Sequence, residues 1–287
     1  MVIGTDVKTY FEGRWHDGDL MVMRAADHGS WLGSSVFDGA RHFEGVAPDL
    51  MAHCRRLNDS ARAMGITPVR TEQELYDISV EGLKRFPPGA AVYIRPMYWA
   101  LDGGTLGVLP KENATGFCIC LEELPMPPAG RPLTLTRTQF RRPVLADAVV
   151  NAKAGCLYPN NGRMLREAND KGFDNALVAD ALGNVAETAV SNIFMTRDNE
   201  VFTPVANGTF LAGITRARVL KLLRDEGFRV HETVLTFEDF DDAEEVFTTG
   251  NMAKISPVSQ FDDRHYQLGR IAKLCRELYW DWAKSEK

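Results

Sequence analysis

Cysteine is scarce in this chain, and the few present do not pair by spacing. Five occur in 287 residues, at Cys54, Cys118, Cys120, Cys156 and Cys275, and none forms a C-x-x-C motif. An odd, scattered set argues against a disulfide framework and against a structural zinc site. No metal centre is expected. Long apolar runs are missing too: nothing approaches the roughly 20 residues that span a bilayer. The opening Met1-Val-Ile-Gly-Thr-Asp-Val-Lys8 lacks the basic lead and apolar centre of a secretory leader. The cytoplasm is therefore the expected compartment. Positive charge is not in excess, since 33 Lys plus Arg face 39 Asp plus Glu for a net charge of −6. Neither nucleic acid nor an anionic membrane is an expected partner, so any anion must be held by a local site. No internal repeat or low-complexity tract is present.

What remains is an ordinary globular composition, 45% hydrophobic and 25% charged, in a chain long enough for two cores. The segment Leu124-Pro-Met-Pro-Pro-Ala-Gly-Arg-Pro132 holds four prolines and a glycine in nine residues, the best linker candidate. The expected organisation is a domain over 1–123, a linker over 124–132 and a second domain over 133–287.

The first half mixes strands and helices. Thr9 to Trp15 predicts a strand entering a tight turn at Glu12-Gly13. Ser34 to Phe43 predicts a strand interrupted at Gly39, a position for a bulge or a close approach. Leu50, Cys54, Leu57, Ala61 and Met64 follow a helical period that ends at Gly65. Thr71 with Glu74 has capping-box spacing for a helix that stops before Pro87-Pro88. Ala91 to Trp99 and Thr115 to Leu121 predict strands. In the second half, strands are expected at 133–139, 175–179, 184–189, 193–196, 200–203 and 245–247. Helices are expected at 160–170, after Gly213, and from Tyr266 to about Lys284. Ile271, Leu274, Leu278 and Trp282 would form the apolar stripe of the last one.

The candidate chemistry centres on Lys153, set in Val149-Val-Asn-Ala-Lys-Ala-Gly155. An amine desolvated among small apolar residues loses basicity and becomes a nucleophile toward a carbonyl. The competing reading is a solvated surface lysine, and the local pattern balances the two. Arg55 and Arg56 lie on a helix whose exposed face suits them, though guanidinium also matches phosphate. Arg95, inside a β-rich run with Tyr93 and Met97 on its face, needs a carboxylate partner, internal or from a substrate. Glu187 is the lone charge in Val185 to Asn192 and is either a buried pairing partner or exposed. Two turns suit a phosphate. At Gly213-Ile-Thr-Arg216, the Ile214 and Thr215 amides would open a helix, with Thr215 as a competing N-cap. Thr248-Thr-Gly-Asn251 offers hydroxyls and backbone amides.

In their order these pieces resemble the fold-type IV pyridoxal-phosphate enzymes, and among them the branched-chain amino acid aminotransferases. The diagnostic stretches are Ser35-Val-Phe-Asp-Gly-Ala-Arg41, His53-Cys-Arg-Arg-Leu57, Tyr93-Ile-Arg-Pro96, Ala152-Lys-Ala-Gly155, Glu187 with Asn192, Gly213-Ile-Thr-Arg216 and Thr249-Gly250. The likeness runs from Phe11 to Val258.

The resemblance implies an α+β, two-domain fold like that of D-amino acid aminotransferase. A small N-terminal α/β domain would precede a larger domain with a β-barrel-like core. It implies pyridoxal 5′-phosphate as cofactor, held covalently by Lys153, which also carries the proton in catalysis. Glu187 would contact the pyridine nitrogen and Tyr158 the ring oxygen, with Asn192 among the cofactor contacts. Arg56, Gly213, Ile214, Thr215, Gly250 and Asn251 would hold the phosphate. Phe37, Tyr93, Arg95 and Met252 would face the substrate. The expected reaction moves an amino group from an aliphatic L-amino acid to 2-oxoglutarate by ping-pong kinetics, in a homodimer or higher homo-oligomer with a partner-facing loop at Leu101 to Leu109. Competing readings within the fold are an (R)-selective amine or D-amino acid transaminase; from another class, an aminodeoxychorismate lyase-like enzyme. Departures from the branched-chain pattern are Trp31-Leu32, Glu122-Glu-Leu-Pro125 in place of a tyrosine, and Asn251 in place of a threonine. All three bear on the substrate pocket.

Overall fold

The computed structural model describes residues 4–286; Met1–Ile3 and Lys287, which the expected domain ranges include, lie outside the described residues. The chain divides into two compact units. One comprises residues up to Met126 together with Asn151–Cys156, the other Pro127–Val150 with Leu157–Ser285. The crossing lies within the proline-rich stretch, where missing backbone donors keep the chain out of either sheet.

The first unit is an antiparallel sheet covered by two helices. Its elements are β1 (Val7–Phe11), β2 (Arg14–Asp17), α1 (His28–Trp31), β3 (Ser35–Phe37), β4 (Ala40–His42), α2 (Leu50–Ala63), α3 (Glu72–Leu83), β5 (Val92–Ala100) and β6 (Thr115–Glu123). The strand order is β2-β1-β6-β5-β3, with β4 also on β5. The tight turn expected at Glu12-Gly13 joins β1 and β2 as a hairpin: Glu12 and Gly13 both take positive φ, 50° and 83°, as the two central residues of such a turn require. Strand β5 alternates, burying Val92, Ile94 and Pro96 and leaving Tyr93, Arg95 and Met97 half-buried. Helix α2 buries Cys54, Leu57 and Ala61 at the expected period. Helix α3 opens with the expected capping box between Thr71 and Glu74. Gly82 is required there by contact, because a Cβ would lie 2.3 Å from the Trp15 ring.

The second unit is built on one long, mixed sheet. It contains β7 (Leu133–Arg142), α4 (Tyr158–Asp170), β8 (Asn175–Asp180), β9 (Val185–Thr188), β10 (Asn192–Arg197), β11 (Glu200–Pro204), α5 (Ile214–Asp225), β12 (Val230–Thr233), α6 (Phe237–Asp241), β13 (Glu245–Gly250), β14 (Lys254–Phe261), β15 (Arg264–His265) and α7 (Arg270–Ser285). The order is β12-β11-β10-β13-β14-β7-β8-β9, with β15 on β14. Strand β9 returns to lie against β10 and β11, so the sheet curls toward a barrel. Leu135, Leu177, Ile193, Met195, Val246 and Val258 fill one core. On β8 alternate residues serve two cores: Leu177 joins this one, while Ala176 and Val178 pack with Met164 and Ala168 of α4. That double burial explains why every residue of β8 is buried.

Helix α7 starts at Arg270, not at Tyr266. The Glu245 carboxylate accepts the Ile271 and Ala272 amides at 3.0 and 2.6 Å and so fixes the first turn. Its buried stripe is Ile271, Cys275, Tyr279 and Ala283, whereas Leu274, Leu278 and Trp282 are only partly covered.

Candidate active site

In the first unit the lysine segment lies along β3. Ala154 bridges Val36, the Phe37 amide donates to the Lys153 carbonyl at 3.1 Å, and the Lys153 amide donates to Ser60 Oγ at 3.0 Å. Ala152 and Ala154 are buried on either side, and a Cβ at Gly155 would lie 2.6 Å from Ser35 Oγ. Small residues are what let the segment approach the strand. Lys153 is half-buried, with its Nζ 4.9 Å from the centroid of the Phe37 ring. That balances the two readings of its surroundings: apolar contact on one side, partial exposure on the other.

Phe37 shares a sheet face with Met97, Arg95 and Tyr93, as strand register requires. Tyr93 closes over Gly39, where a Cβ would stand 2.4 Å from its hydroxyl. Gly39 is thus a close-approach glycine. Arg41, opposite Tyr93, is fully buried, and burial lowers its pKa to about 10 against the opposing pull of Tyr93. Arg95 pairs with the buried carboxylate of Glu122 and also donates to Cys120 Sγ at 3.3 Å. The internal partner that a strand arginine demands is therefore Glu122.

On the opposite face, toward α2, Asp38 is fully buried. Arg56 grips it through Nε at 2.7 Å and Nη2 at 2.9 Å, and His53 donates from Nδ1 at 2.7 Å. Burial alone would raise the Asp38 pKa, but Arg56 and His53 outweigh it and hold the carboxyl well below its usual range. Arg56 is thereby fixed by a carboxylate of its own unit.

In the second unit Glu187 is buried and bound on both sides. Arg142 Nη2 lies 3.1 Å from Oε1, and Asn192 Nδ2 donates to Oε2 at 3.3 Å. Arg142 also donates through its two Nη atoms to the carbonyls of Thr188 and Ala189 and to Asn161 Oδ1 of α4. Asn161 stands one turn along α4 from Tyr158, so this network also fixes the helix that carries the tyrosine. A carboxylate clamped by a guanidinium keeps its charge, and a buried anion with that support suits a protonated ring nitrogen.

Asn192 connects this group to both turns. Its register partner on β13 is Thr249, and its Oδ1 would lie 2.1 Å from a Cβ at Gly213. Gly213 has ordinary extended backbone, φ −71° and ψ 138°, so the glycine is needed for space and not for an unusual backbone conformation. Gly213 is also the N-cap of α5, with no side-chain cap. Thr215 is inside the first turn, which removes the competing N-cap reading. The Ile214 and Thr215 amides are thus those of a helix start. Thr249 Oγ1 is buried without a hydrogen-bond partner among the described residues. Gly250 packs against Ser191, and the Asn251 side-chain oxygen accepts the buried Lys254 Nζ at 2.7 Å. Met252 is exposed. An orphaned hydroxyl, a helix start without a side-chain cap and a clamped carboxylate fit a phosphorylated pyridine.

Of the site residues expected from sequence, Phe37, Tyr93, Arg95, Arg56 and Lys153 fall in the first unit, with Arg56 on the far face of its sheet. Glu187, Asn192, Gly213, Ile214, Thr215, Gly250 and Asn251 converge in the second. Sequence reading singled out none of Asp38, Arg142, Asn161 and Ser60 as a site residue, and Glu122 only within a stretch that bears on the substrate pocket. Asp38 lay within a quoted motif, and Arg142 and Glu122 each stand in a charged doublet whose buried member local sequence does not mark.

Comparison with known proteins settles the family. The profile described as Amino-transferase class IV matches residues 35–261. The chain belongs to the class IV aminotransferases. This class IV aminotransferase is 34% identical over 285 residues to a putative branched-chain-amino-acid aminotransferase of Methanocaldococcus jannaschii, covering 96% of each chain. It superposes with a TM-score of 0.96 on an aminotransferase from Brucella abortus bound to PLP, at 56% identity over 98% of this chain and 100% of that one. A branched-chain aminotransferase from Thermoproteus uzoniensis, solved with norvaline, matches with a TM-score of 0.89 at 26% identity, covering 99% and 96%. The class IV aminotransferase described here is thus a fold-type IV, two-domain α+β transaminase that uses pyridoxal 5′-phosphate.

Proposed function

We propose that the enzyme transfers the amino group of aliphatic, branched-chain L-amino acids to 2-oxoglutarate. Pyridoxal phosphate supplies a carbonyl that exchanges for an amine and a ring that accepts electrons from the substrate Cα. Lys153 holds the cofactor at that carbonyl carbon and then moves the proton at Cα, as acid and base in turn. Glu187, paired with Arg142 and Asn192, holds the proton on the ring nitrogen. Tyr158 donates to the ring oxygen. Arg56, Thr215, Gly250 and Asn251, with the amides that follow Gly213, bind the phosphate. Phe37, Tyr93, Arg95 and Met252 orient the substrate.

The observation that carries this reading is the Arg142–Glu187–Asn192 network, which has the charge and burial a ring-nitrogen partner needs. Its branched-chain part draws on relatives from Methanocaldococcus jannaschii and Pseudomonas aeruginosa. The free thiols are in keeping with the cytoplasm. Exposed Leu106, Val108 and Leu109 support a homodimer joined through the Leu101 to Leu109 loop.

Stopped-flow mixing of the holoenzyme with L-leucine, D-alanine or (R)-1-phenylethylamine tests the donor class. Bleaching of the cofactor's visible band by L-leucine alone is the expected result. Bleaching by D-alanine or the amine instead assigns the enzyme to the competing transaminase class. Pyruvate release without an amino acceptor points to a lyase.

A further inference from the structure

Two arginines stand on the sheet face that carries Phe37 and Tyr93, and they are treated differently. Arg41 is fully buried, donates to the Leu124 carbonyl through Nη2, and keeps Nε and Nη1 without a hydrogen-bond partner among the described residues. It lies in register opposite Tyr93 and supplies positive potential there. Arg95 retains partial exposure, with 26% of its side chain accessible, while its carboxylate partner Glu122 is 1% accessible. Glu122 is anchored in turn by the Gly4 amide at 3.2 Å. The guanidinium's bonds to Glu122 and Cys120 both leave from Nη2.

A carboxylate approaching Arg95 therefore meets an ion pair, whose field falls off faster than that of a single charge. Tyr93 stands in register between Arg41 on one side and Glu122 on the other, and Glu122 spends its charge on Arg95 while Arg41 makes no ion pair among the described residues. We propose that Glu122 is a specificity-determining residue: by engaging Arg95 it removes the net attraction for a second substrate carboxylate and selects aliphatic monocarboxylate amino and 2-oxo acids over dicarboxylic ones. This deepens the proposed function and rests on its assignment of this face to the substrate. Under it 2-oxoglutarate serves as acceptor with no advantage over an aliphatic 2-oxo acid of similar length.

The test uses two dead-end acids, glutarate and 4-methylpentanoate, titrated into the holoenzyme by calorimetry. Wild-type enzyme is expected to bind glutarate no more tightly than 4-methylpentanoate. Glu122→Gln is expected to tighten glutarate by about 10-fold, the scale of one charge-assisted hydrogen bond, and to leave 4-methylpentanoate within about twofold. Wild-type binding of glutarate 10-fold or more tighter than 4-methylpentanoate overturns the proposal without any variant. Equal shifts for both acids, or none, in a folded Glu122→Gln protein overturn it as well. Neither titration needs turnover, so failure of L-leucine to bleach the cofactor sinks only the proposed reaction. Absence of binding by both acids overturns both.

Discussion

In three like-charged doublets of this enzyme the fold treats the two members differently. Arg55 is exposed and pairs with Glu72, whereas Arg56 turns inward to Asp38. Arg141 is exposed and Arg142 buried; Glu122 is buried beside a half-buried Glu123. A strand's pleat or a helix's turn makes the choice, and it depends on where the partner lies. Family likeness was needed to pick Arg56; Glu122 was legible only as part of a departure from the branched-chain pattern, and Arg142 not at all. The functional reading of Lys153 likewise came from likeness. Its surroundings alone left surface and site in balance, and it is in fact half-buried.

Two tests belong at this scale. Lys153→Ala is expected to abolish transamination while the protein still folds, checked by coupled assay beside circular dichroism. Asp38→Asn breaks a buried ion pair and should cost about 3–5 kcal/mol. The pH dependence follows from the sign of the shift. The Asp38 carboxyl is lower in the folded state than its ordinary 3.8, so its contribution is complete above that value and is lost as pH falls below it. Urea midpoints of wild type and Asp38→Asn should therefore differ most near neutrality and converge below about pH 4.

Among the elements, those with a strong period or punctuation were legible from sequence. Helix α2, the Thr71 capping box, the Glu12-Gly13 turn and the β3–β4 interruption needed only local rules. Strands β12 and β15 and helix α6 were not, because they are short and owe their form to neighbours. Helix α7 shows the limit most plainly, since its first turn is set by Glu245 from a distant strand. Glu245→Ala should leave two buried amides without an acceptor, cost about 1–3 kcal/mol, and speed hydrogen exchange at Ile271 and Ala272. The junction of β10, α5 and β13 gives a second test. Gly213→Ala drives a methyl group into Asn192 and should weaken cofactor binding by about 10-fold or more, read by equilibrium dialysis. Asn192→Ala in the same chain removes the clash and should recover part of that loss.

At the level of the whole molecule, the α+β class followed from family likeness, and punctuation marked only the proline-rich stretch as a break in the chain. The return of Asn151–Cys156 to the first unit did not, because hydrogen bonds to Phe37 and Ser60 are tertiary facts. Sedimentation should give about twice the 32.0 kDa monomer mass. Leu109→Asp should shift the enzyme toward monomer, consistent with the cost of burying an unpaired charge in an apolar contact.

The two faces of the first sheet have separate duties, and this bears on directed evolution. Met97, Cys118, Cys120 and Glu122 share the face of Phe37, while Asp38, His53 and Arg56 occupy the reverse. A combinatorial library confined to the former four codons would vary which acids enter without disturbing the Asp38 anchor. New selectivity should therefore be reachable here in few steps, with the Asp38 anchor intact.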